Sequence, residues 1–376
     1  MGYKLPVLPL QVLLPHIGRA EDQLARLDER VRHNPLGAGF VERGHFYDSA
    51  ASMWVSGELV HVEDLVLHDA HMDVRAPTHE LAIAHSILRA RRRIAASDRG
   101  WALSDAGISA LRGRPVDAAA EREGEGTIDD AGAGGALDLD TESDDDEFAQ
   151  HFADIDAVLA RSELLLTQHN AKAVPTPPAK VEPSGRDPLI YDQDWDEAER
   201  LSRWKDTMSE ADALPPSLGA AVLWEAWETL EPLQRQHWLG PILIGSYLRS
   251  RGKVATHLLA FNVGLKAISR ERRRSPVHTT RLIAFIEALS SAADAGMKEL
   301  DRLGQAKDQM ERRLRNRRSS SSLPDVLELV LSRPIVSTAM IAKAAKVTPR
   351  GALNLVADLG VREMTGRGRY RAWGII

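Results

Sequence analysis

Residues 323–376 decide the fold of this chain, and they read LPDVLELVLSRPIVSTAMIAKAAKVTPRGALNLVADLGVREMTGRGRYRAWGII. Apolar residues recur at helical spacing in three short runs, each with its own boundary signal. Pro334 stops the first run, and Ser337 is a good N-cap for the second. Thr348 followed by Pro349 starts the third in the same way, with a cap and a proline at the first helical position. The stretch therefore predicts three consecutive helices.

Two short strands are predicted after the third helix. Gly360 is placed to end that helix. Residues 361–365 and 370–375 then read as strands on either side of a turn rich in Gly and Arg at 366–369. Three helices followed by a two-stranded wing is the order of a winged helix-turn-helix. We therefore predict a DNA-binding domain at 323–376 whose third helix enters the major groove of double-stranded DNA.

The third helix and the wing carry the candidate DNA contacts. Arg350 and Asn354 are one helical turn apart, and their side chains suit hydrogen bonds to base edges. Thr348 is expected near the DNA backbone. Five more arginines are candidates for phosphate contacts, with the minor groove as an alternative for those on the wing. They are Arg317 and Arg318 before the domain, and Arg367, Arg369 and Arg371 on the wing.

Charge supports this interpretation over a protein-binding role for the winged helix. The whole chain has a formal net charge of −6, but residues 307–376 contain fourteen Lys and Arg against six Asp and Glu. A basic module on an acidic chain is the electrostatic footprint of nucleic-acid binding. Winged helices also serve as protein-interaction modules, so an adaptor or a toxin–antitoxin-like partner protein remains the alternative.

Composition narrows the class of protein. The 376 residues include no cysteine, which excludes disulfides, zinc-thiolate sites and cysteine nucleophiles. No apolar run is long enough for a membrane span. Three prolines interrupt the apolar start of the chain, which predicts an irregular N-terminal segment and not a signal peptide. Aromatic residues make up only 5% of the chain, which favours a mainly α protein. Because we predict neither a membrane span nor a signal peptide, we expect the protein to be cytoplasmic.

An N-terminal helical region is predicted over residues 1–113. Its helices are expected at 20–33, 40–56, 62–70, 77–94 and 104–111. The arginines at 89 and 91–93 end the fourth of these helices, where the helix dipole gives them a structural explanation. Histidines and acids between 68 and 79 suggest a metal site, but a solvated helix face explains them better, and we predict no metal. The residues weighed were His68, Asp69, His71, Asp73 and His79.

Residues 114–190 are predicted to be an acidic and proline-rich linker. Between Asp117 and Glu147, thirteen acids face one arginine. Such a segment buries too little apolar surface to order itself, so we expect it to be disordered. One helix is predicted within it, at 148–168.

A second helical block is predicted at 191–318, so the helical body has two parts. Helices are expected at 194–208, 218–229, 241–249, 254–268 and 279–303. The third of these is almost continuously apolar, which places it at the centre of a core.

The order of these pieces resembles the Fic family, in which an HPFxxGNGR loop lies between two helices of an all-helical core. Here Thr229–Leu248 occupies that place. Pro232 and Leu233 fit the family's Pro-Phe, but Glu231 replaces the histidine and residues 236–239 read Gln-His-Trp-Leu. The inhibitory Ser-x-x-x-Glu-Gly helix has a decayed counterpart at 52–57. The resemblance implies a degenerate Fic-like core without the anion site that nucleotidyl transfer needs.

The whole chain also resembles a group of uncharacterised proteobacterial proteins, often plasmid-borne, that join a domain of unknown function to a C-terminal helix-turn-helix. Motifs for serine hydrolases, zinc proteases, phosphate loops and dinucleotide binding are missing from the sequence. We therefore predict a homodimeric, DNA-binding transcriptional regulator with no catalytic residues and no cofactor. A divergent AMP transferase of the Fic type is the weakest alternative.

Overall fold

The computed structural model describes residues 8–72, 76–113, 195–315, 323–365 and 371–375. The chain divides into two units, one made of Met1–Gly100 with Asp196–Ile376 and the other of Trp101–Trp195. The predicted linker at 114–190 and the helix at 148–168 lie outside the described residues. Among those residues, no helix is long and apolar enough to cross a membrane.

The first unit is built from helices followed by a small sheet. The N-terminal helices are α1 (Leu10–Arg32), α2 (Gly37–Ser56), α3 (Val62–Asp69) and α4 (His79–Ala96). In the second unit, a 3-10 turn at Trp101–Leu103 precedes α5 (Asp105–Leu111). The first unit resumes with α6 (Glu197–Ala211), α7 (Pro216–Leu230), α8 (Leu239–Ser250), α9 (Phe261–Ala267), α10 (Arg270–Arg273) and α11 (His278–Leu314).

The two predicted parts of the helical body pack on each other. Helix α1 lies along the 37-residue α11, and α2 contacts both α4 and α9. Helices α7 and α8 form the centre of the core, and every residue of α8 from Leu239 to Leu248 is buried. The prediction that the apolar segment at 241–249 is central is therefore confirmed.

Helix α1 corrects the predicted start of the ordered N-terminal segment. It begins at Leu10, ten residues earlier than expected, and it contains Pro15. A proline lacks one backbone N–H and normally interrupts a helix. Here the apolar face continues on both sides of the proline, because Leu13, Ile17 and Leu24 are all buried. Burial of that continuous stripe outweighs one missing hydrogen bond.

The predicted helix at 254–268 is wrong in its first half, because only Phe261–Ala267 is helical. Side chains from the N-terminal helices satisfy the backbone of the preceding segment instead. Asp28 accepts the N–H of Thr256 at 2.8 Å, and Arg91 donates to the carbonyl of Leu258 at 2.9 Å. Local apolar periodicity carries no information about such distant partners.

The arginines at the end of α4 were predicted to be structural, and ion pairs explain Arg91 and Arg92 better than the helix dipole does. Arg91 is fully buried and forms an ion pair with Asp48, which is also fully buried. Arg92 pairs with Glu42 and Asp69. Asp69 was a candidate metal ligand, whereas Asp73 lies outside the described residues. In the described parts of the chain, no group of three His, Asp or Glu side chains is arranged to hold a metal ion.

Candidate nucleic-acid interface

The C-terminal domain is a winged helix with one more strand than predicted. Its elements are α12 (Leu323–Ser332), β1 (Ile335–Ser337), α13 (Thr338–Ala345), α14 (Pro349–Leu359), β2 (Arg362–Glu363) and β3 (Ala372–Gly374). The sheet order is β1-β3-β2 with antiparallel pairs, and Gly374 lies opposite both Ile335 and Arg362. The predicted two-stranded wing is therefore a three-stranded sheet. Strand β1 could not be predicted from the sequence, because its three residues lie between a proline and a helix cap. They form a strand only by pairing with β3, which is distant in the chain.

The boundaries of α14, the helix predicted to enter the major groove, follow the predicted signals. The Thr348 hydroxyl accepts the N–H of Gly351 at 3.2 Å, and Pro349 occupies the first helical position. Ser337 caps α13 in the same way, through the N–H of Met340. Gly360 ends α14 in the left-handed conformation, with φ of 66°. These caps are confirmed, and they set the length of α14 at three turns.

Helix α14 has one buried face and one open face. Ala352, Val356 and Leu359 are buried, whereas Arg350 and Asn354 are exposed on the opposite side. Thr348 is also exposed, at the N-terminal end of the helix. The structure therefore brings together three of the predicted DNA-contacting residues on one accessible surface.

Two lysines that sequence reasoning missed extend this surface. Lys343 is in the last turn of α13, and Lys346 ends that helix. Both side chains are exposed. Lys346 has φ of 53°, a left-handed conformation that non-glycine residues seldom adopt. Their position in the turn before the reading helix, together with their charge, was the signal that could have identified them. We call Lys343, Lys346, Arg350 and Asn354 the reading surface.

Of the three wing arginines predicted to contact DNA, the structure describes Arg371. Arg371 is exposed, but it holds Glu363 through two hydrogen bonds of 3.0 and 2.7 Å. Its guanidinium carbon also lies 5.3 Å from the centre of the Trp373 ring. The hydrogen bond from Arg371 lowers the pKa of Glu363, so this cation is partly neutralised. Arg317, Arg318, Arg367 and Arg369 lie outside the described residues, and their DNA contacts stay predictions.

The opposite side of the winged helix is attached to the helical body. Arg333, just after α12, forms ion pairs with Glu42 and Asp69 of the body. Arg92 also forms ion pairs with Glu42 and Asp69. Burial acts to raise the pKa of Asp69, but hydrogen bonds from His85 and Arg92 and the charge of Arg333 outweigh it and lower that pKa.

A second arginine attaches the body to the same side of the domain. Arg43 is completely buried, pairs with Glu299 at 2.6 Å, and donates to the backbone carbonyl of Arg333. We call Arg43, Glu42, Asp69, Arg92, Arg333 and Glu299 the junction network. The body contacts α12, β1 and α14, but Lys343, Lys346, Arg350 and Asn354 stay exposed.

The end of the reading helix also contacts the body. A Cβ on Gly360 would overlap the guanidinium of Arg313, a residue in the last turn of α11. Gly360 is therefore needed twice, for its positive φ and for the close approach of Arg313. The C-terminal end of α14 therefore lies close to the long helix of the body.

The loop that resembles the Fic motif joins α7 to α8. Glu231 ends α7 with φ of 43°, and Gln236 has φ of 62°, so two non-glycine residues bend this loop. A cavity of about 300 Å³ beside it is lined by Glu231, His237 and Trp238 and also by Ser52 and Ser56. The structure thus brings together the two segments that the resemblance paired. The family relationship itself stays a prediction.

Comparisons with known proteins agree with a two-domain arrangement. Residues 189–315, which include α6 to α11, match a family model described as a protein of unknown function, DUF1612. Residues 323–376 match a model described as an HTH DNA binding domain. The chain is similar to the uncharacterized protein y4cF of Sinorhizobium fredii (strain NBRC 101917 / NGR234). The two are 45% identical over 382 residues, and the alignment covers 100% of each. The predicted helix-turn-helix DNA-binding domain is confirmed by the second family match.

Proposed function

The chain belongs to the family of the Sinorhizobium fredii protein y4cF, and from this premise we propose that it is a transcriptional regulator that reads double-stranded DNA with α14. The observation that carries the proposal is the open face of α14. Arg350 and Asn354 are exposed there beside two lysines, while the opposite face of the helix is buried. Arginine and asparagine suit guanine and adenine edges, and lysines suit phosphates.

A genomic-fragment selection with the full-length protein tests this proposal. At about 150 mM salt, binding that depends only on phosphate contacts is weakened, so an enriched motif reports base reading. We expect one motif to be enriched. Enrichment of no motif by a folded protein would instead favour the alternative in which the winged helix binds a protein partner.

A matched set of variants assigns the roles of the reading surface. Arg350→Ala is expected to weaken binding to the enriched motif by about 1–3 kcal/mol and to relax the preference at one base pair. Lys346→Gln is expected to weaken binding to all sequences alike and to reduce the salt dependence by about one counterion. Arg203→Ala removes an exposed arginine from α6 and serves as the control. Equal losses on motif and random DNA for Arg350→Ala would contradict base reading.

The proposal includes a homodimer in the bacterial cytoplasm, where the DNA is. Dimeric helix-turn-helix proteins bind half-sites about one helical turn apart, so a palindromic motif is expected. Exposed Leu10 and Leu14, one turn apart at the start of α1, offer apolar surface for self-association. Light scattering combined with size exclusion measures the mass directly, and a monomer on and off DNA would contradict this part.

We propose no catalytic activity, no cofactor and no enzymatic role for the Fic-like loop. The chemical reason is that Gln236, Trp238 and Leu239 stand where the Fic motif has the glycine amides and the arginine that bind phosphate. Incubation with labelled ATP should leave protein substrates unmodified. Modification that disappears in Glu231→Ala would instead establish a divergent transferase.

A further inference from the structure

A cavity of about 560 Å³ lies between the helical body and the winged helix. From the body, Phe40, Ala51, Leu259 and Ala292 contribute to its lining. From the winged helix, Pro334, Ile335, Met364 and Ile375 do so. Its volume is within the range of small-molecule sites, and most of its lining residues are apolar. A molecule in this cavity would contact both parts of the protein at once.

Two buried polar atoms in the lining have no hydrogen bond among the described residues, Nε2 of His257 and Oε2 of Glu299, and only the second has an ion pair, with Arg302. His257 is 5% exposed and lines the cavity, and its Nε2 has no hydrogen-bond partner in the part of the chain that the structure describes. Phe40 packs edge-on against the imidazole, with ring centroids 5.5 Å apart. A buried polar atom without a partner costs free energy, so such an atom beside a cavity indicates that a bound molecule completes its hydrogen bonding.

The neighbours of His257 determine what Nε2 offers. The Thr256 hydroxyl lies 2.6 Å from an oxygen of Asp28 and 3.0 Å from Nδ1 of His257. A carboxylate only accepts, so the single hydroxyl proton is donated to Asp28. Nδ1 of His257 therefore carries a proton and donates it to the hydroxyl oxygen.

The charge state of the ring completes this assignment. Burial lowers the pKa of His257 to about 4, since the attraction of Asp28 does not offset the burial and the charge of Arg91. At neutral pH the ring is uncharged and its single proton is on Nδ1. Nε2 is then a lone-pair acceptor, and only a ligand with an O–H or N–H group can satisfy it.

The charged residues of the lining do not select for a charged ligand. The lining contains two acids, Glu63 and Glu299, and two bases, Lys266 and Arg302, so its formal charges balance. Glu299 forms ion pairs with Arg302 and with Arg43. Lys266 lies over the Trp54 ring, with the ammonium 5.4 Å from its centre. The cavity therefore suits an uncharged molecule.

We propose that this cavity binds an uncharged, mainly apolar small molecule that donates one hydrogen bond to Nε2 of His257. Neither the family matches nor the proposed reading of DNA assigns such a site. The apolar body of the ligand would fill the space between α2, α9 and the sheet of the winged helix. Its donor group would satisfy this buried acceptor.

Two fluorescent probes that differ in one hydrogen-bond donor test the proposal. N-phenyl-1-naphthylamine is uncharged and apolar and has a single N–H, and its fluorescence increases in apolar sites. Its N-methyl derivative lacks the donor. Titration of the full-length protein at pH 7 should show one saturable site for the first compound. The derivative should bind roughly tenfold more weakly, because it leaves the buried acceptor unsatisfied.

Two substitutions distinguish this cavity from nonspecific apolar binding. A Cβ on Gly44, which lines the cavity from α2, would meet no described atom within 4 Å. Gly44→Phe should therefore fill the space and reduce binding of both probes at least tenfold, while Gly44→Ala should not. His257→Phe keeps a planar aromatic ring but removes the acceptor, so the two probes should bind it with equal affinity.

Thermal unfolding of each variant verifies that it is folded. Equal affinity of the two probes for the unmodified protein would overturn the proposal. Undiminished binding to folded Gly44→Phe would overturn it as well. Because none of these measurements involves DNA, their outcome is independent of whether α14 reads a DNA sequence.

Discussion

Two arginine networks hold this molecule together, and they differ in how completely they are sealed. Arg91 and Asp48 join the N-terminal helices to the segment before α9, and both side chains are 0% exposed. In the junction network, the side chains of Arg333, Glu42 and Arg92 are 26, 24 and 29% exposed. The first network forms part of the core. The second fastens the winged helix to the body through two kinds of pair. Arg43 and Glu299 are 0 and 9% exposed, whereas water still reaches the charges of Arg333, Glu42 and Arg92.

Ion pairs of the same chemical type therefore contribute differently to stability when they are fully buried and when they are partly exposed. Asp48 also accepts hydrogen bonds from the amide of Asn262 and the N–H of Val263, each at 3.1 Å. A buried pair is costly to break, because one unpaired charge is left in the interior. A partly hydrated pair exchanges its partner for water at a smaller cost. Within the junction network, the pairs that Arg333 makes with Glu42 and Asp69 are thus weaker than the buried pair of Arg91 with Asp48.

Breaking the sealed network should have the largest effect. Asp48→Ala leaves Arg91 buried without its carboxylate, and we expect a loss of about 3–5 kcal/mol in the free energy of unfolding. Urea denaturation followed by circular dichroism measures this change. Asp22→Ala removes an exposed partner of Arg26 and should cost at most about 1 kcal/mol. Similar losses for the two variants would mean that burial does not separate the networks.

Acid should lower the free energy of unfolding through His257. The pKa of His257 is about 4 in the folded protein and about 6.5 in the unfolded chain. The unfolded state therefore binds the proton first as the pH falls. Stability is complete above about pH 6.5 and decreases toward pH 4, by at most about 3 kcal/mol from this residue.

The variant His257→Phe isolates this contribution. Burial also lowers the pKa of His45, so both histidines contribute to the pH dependence of the unmodified protein. Urea denaturation of the two proteins at several pH values between 6.5 and 4 gives the difference. The His257→Phe protein should lose less stability over this range, and parallel curves would show that His257 does not titrate there.

Breaking the junction network should have a smaller and local effect. Arg333→Ala leaves Glu42 and Asp69 with Arg92 as their arginine partner, and we expect a loss of about 1–2 kcal/mol. Hydrogen exchange should become faster in α12 and β1 and stay unchanged in α7 and α8. Arg362→Ala, an exposed arginine on β2, is the control. Faster exchange throughout the protein would mean that the winged helix and the body unfold together.

The contact of Arg313 with Gly360 should give the smallest effect. Gly360→Ala places a Cβ at positive φ, which costs about 1 kcal/mol, and it also displaces the Arg313 guanidinium. Gly57 also ends a helix at positive φ, but a Cβ there meets nothing within 4 Å. The difference in thermal stability between Gly360→Ala and Gly57→Ala therefore measures the Arg313 contact. Equal losses would show that the contact contributes nothing.

Local signals predicted the winged helix well. Thr348, Pro349 and Gly360 set the ends of α14, since capping depends on residues within one helical turn. The helical period placed Arg350 and Asn354 opposite the buried face. Strand β1 was missed, because its partner Gly374 is far along the chain from Ile335. The first half of the predicted helix at 254–268 failed for the same kind of reason.

The sequence alone determined the helical class, the helix-turn-helix and the basic character of its C-terminal domain. Each of these depends on composition or on neighbours within about four residues. Only the tertiary structure decided which partners the arginines have and where His257 is buried. Arg91 and Asp48 are 43 positions apart, Arg333 and Glu42 are 291 apart, and Thr256 and Asp28 are 228 apart. Whether such groups meet in the interior is a property of packing, and no local pattern in the sequence records it.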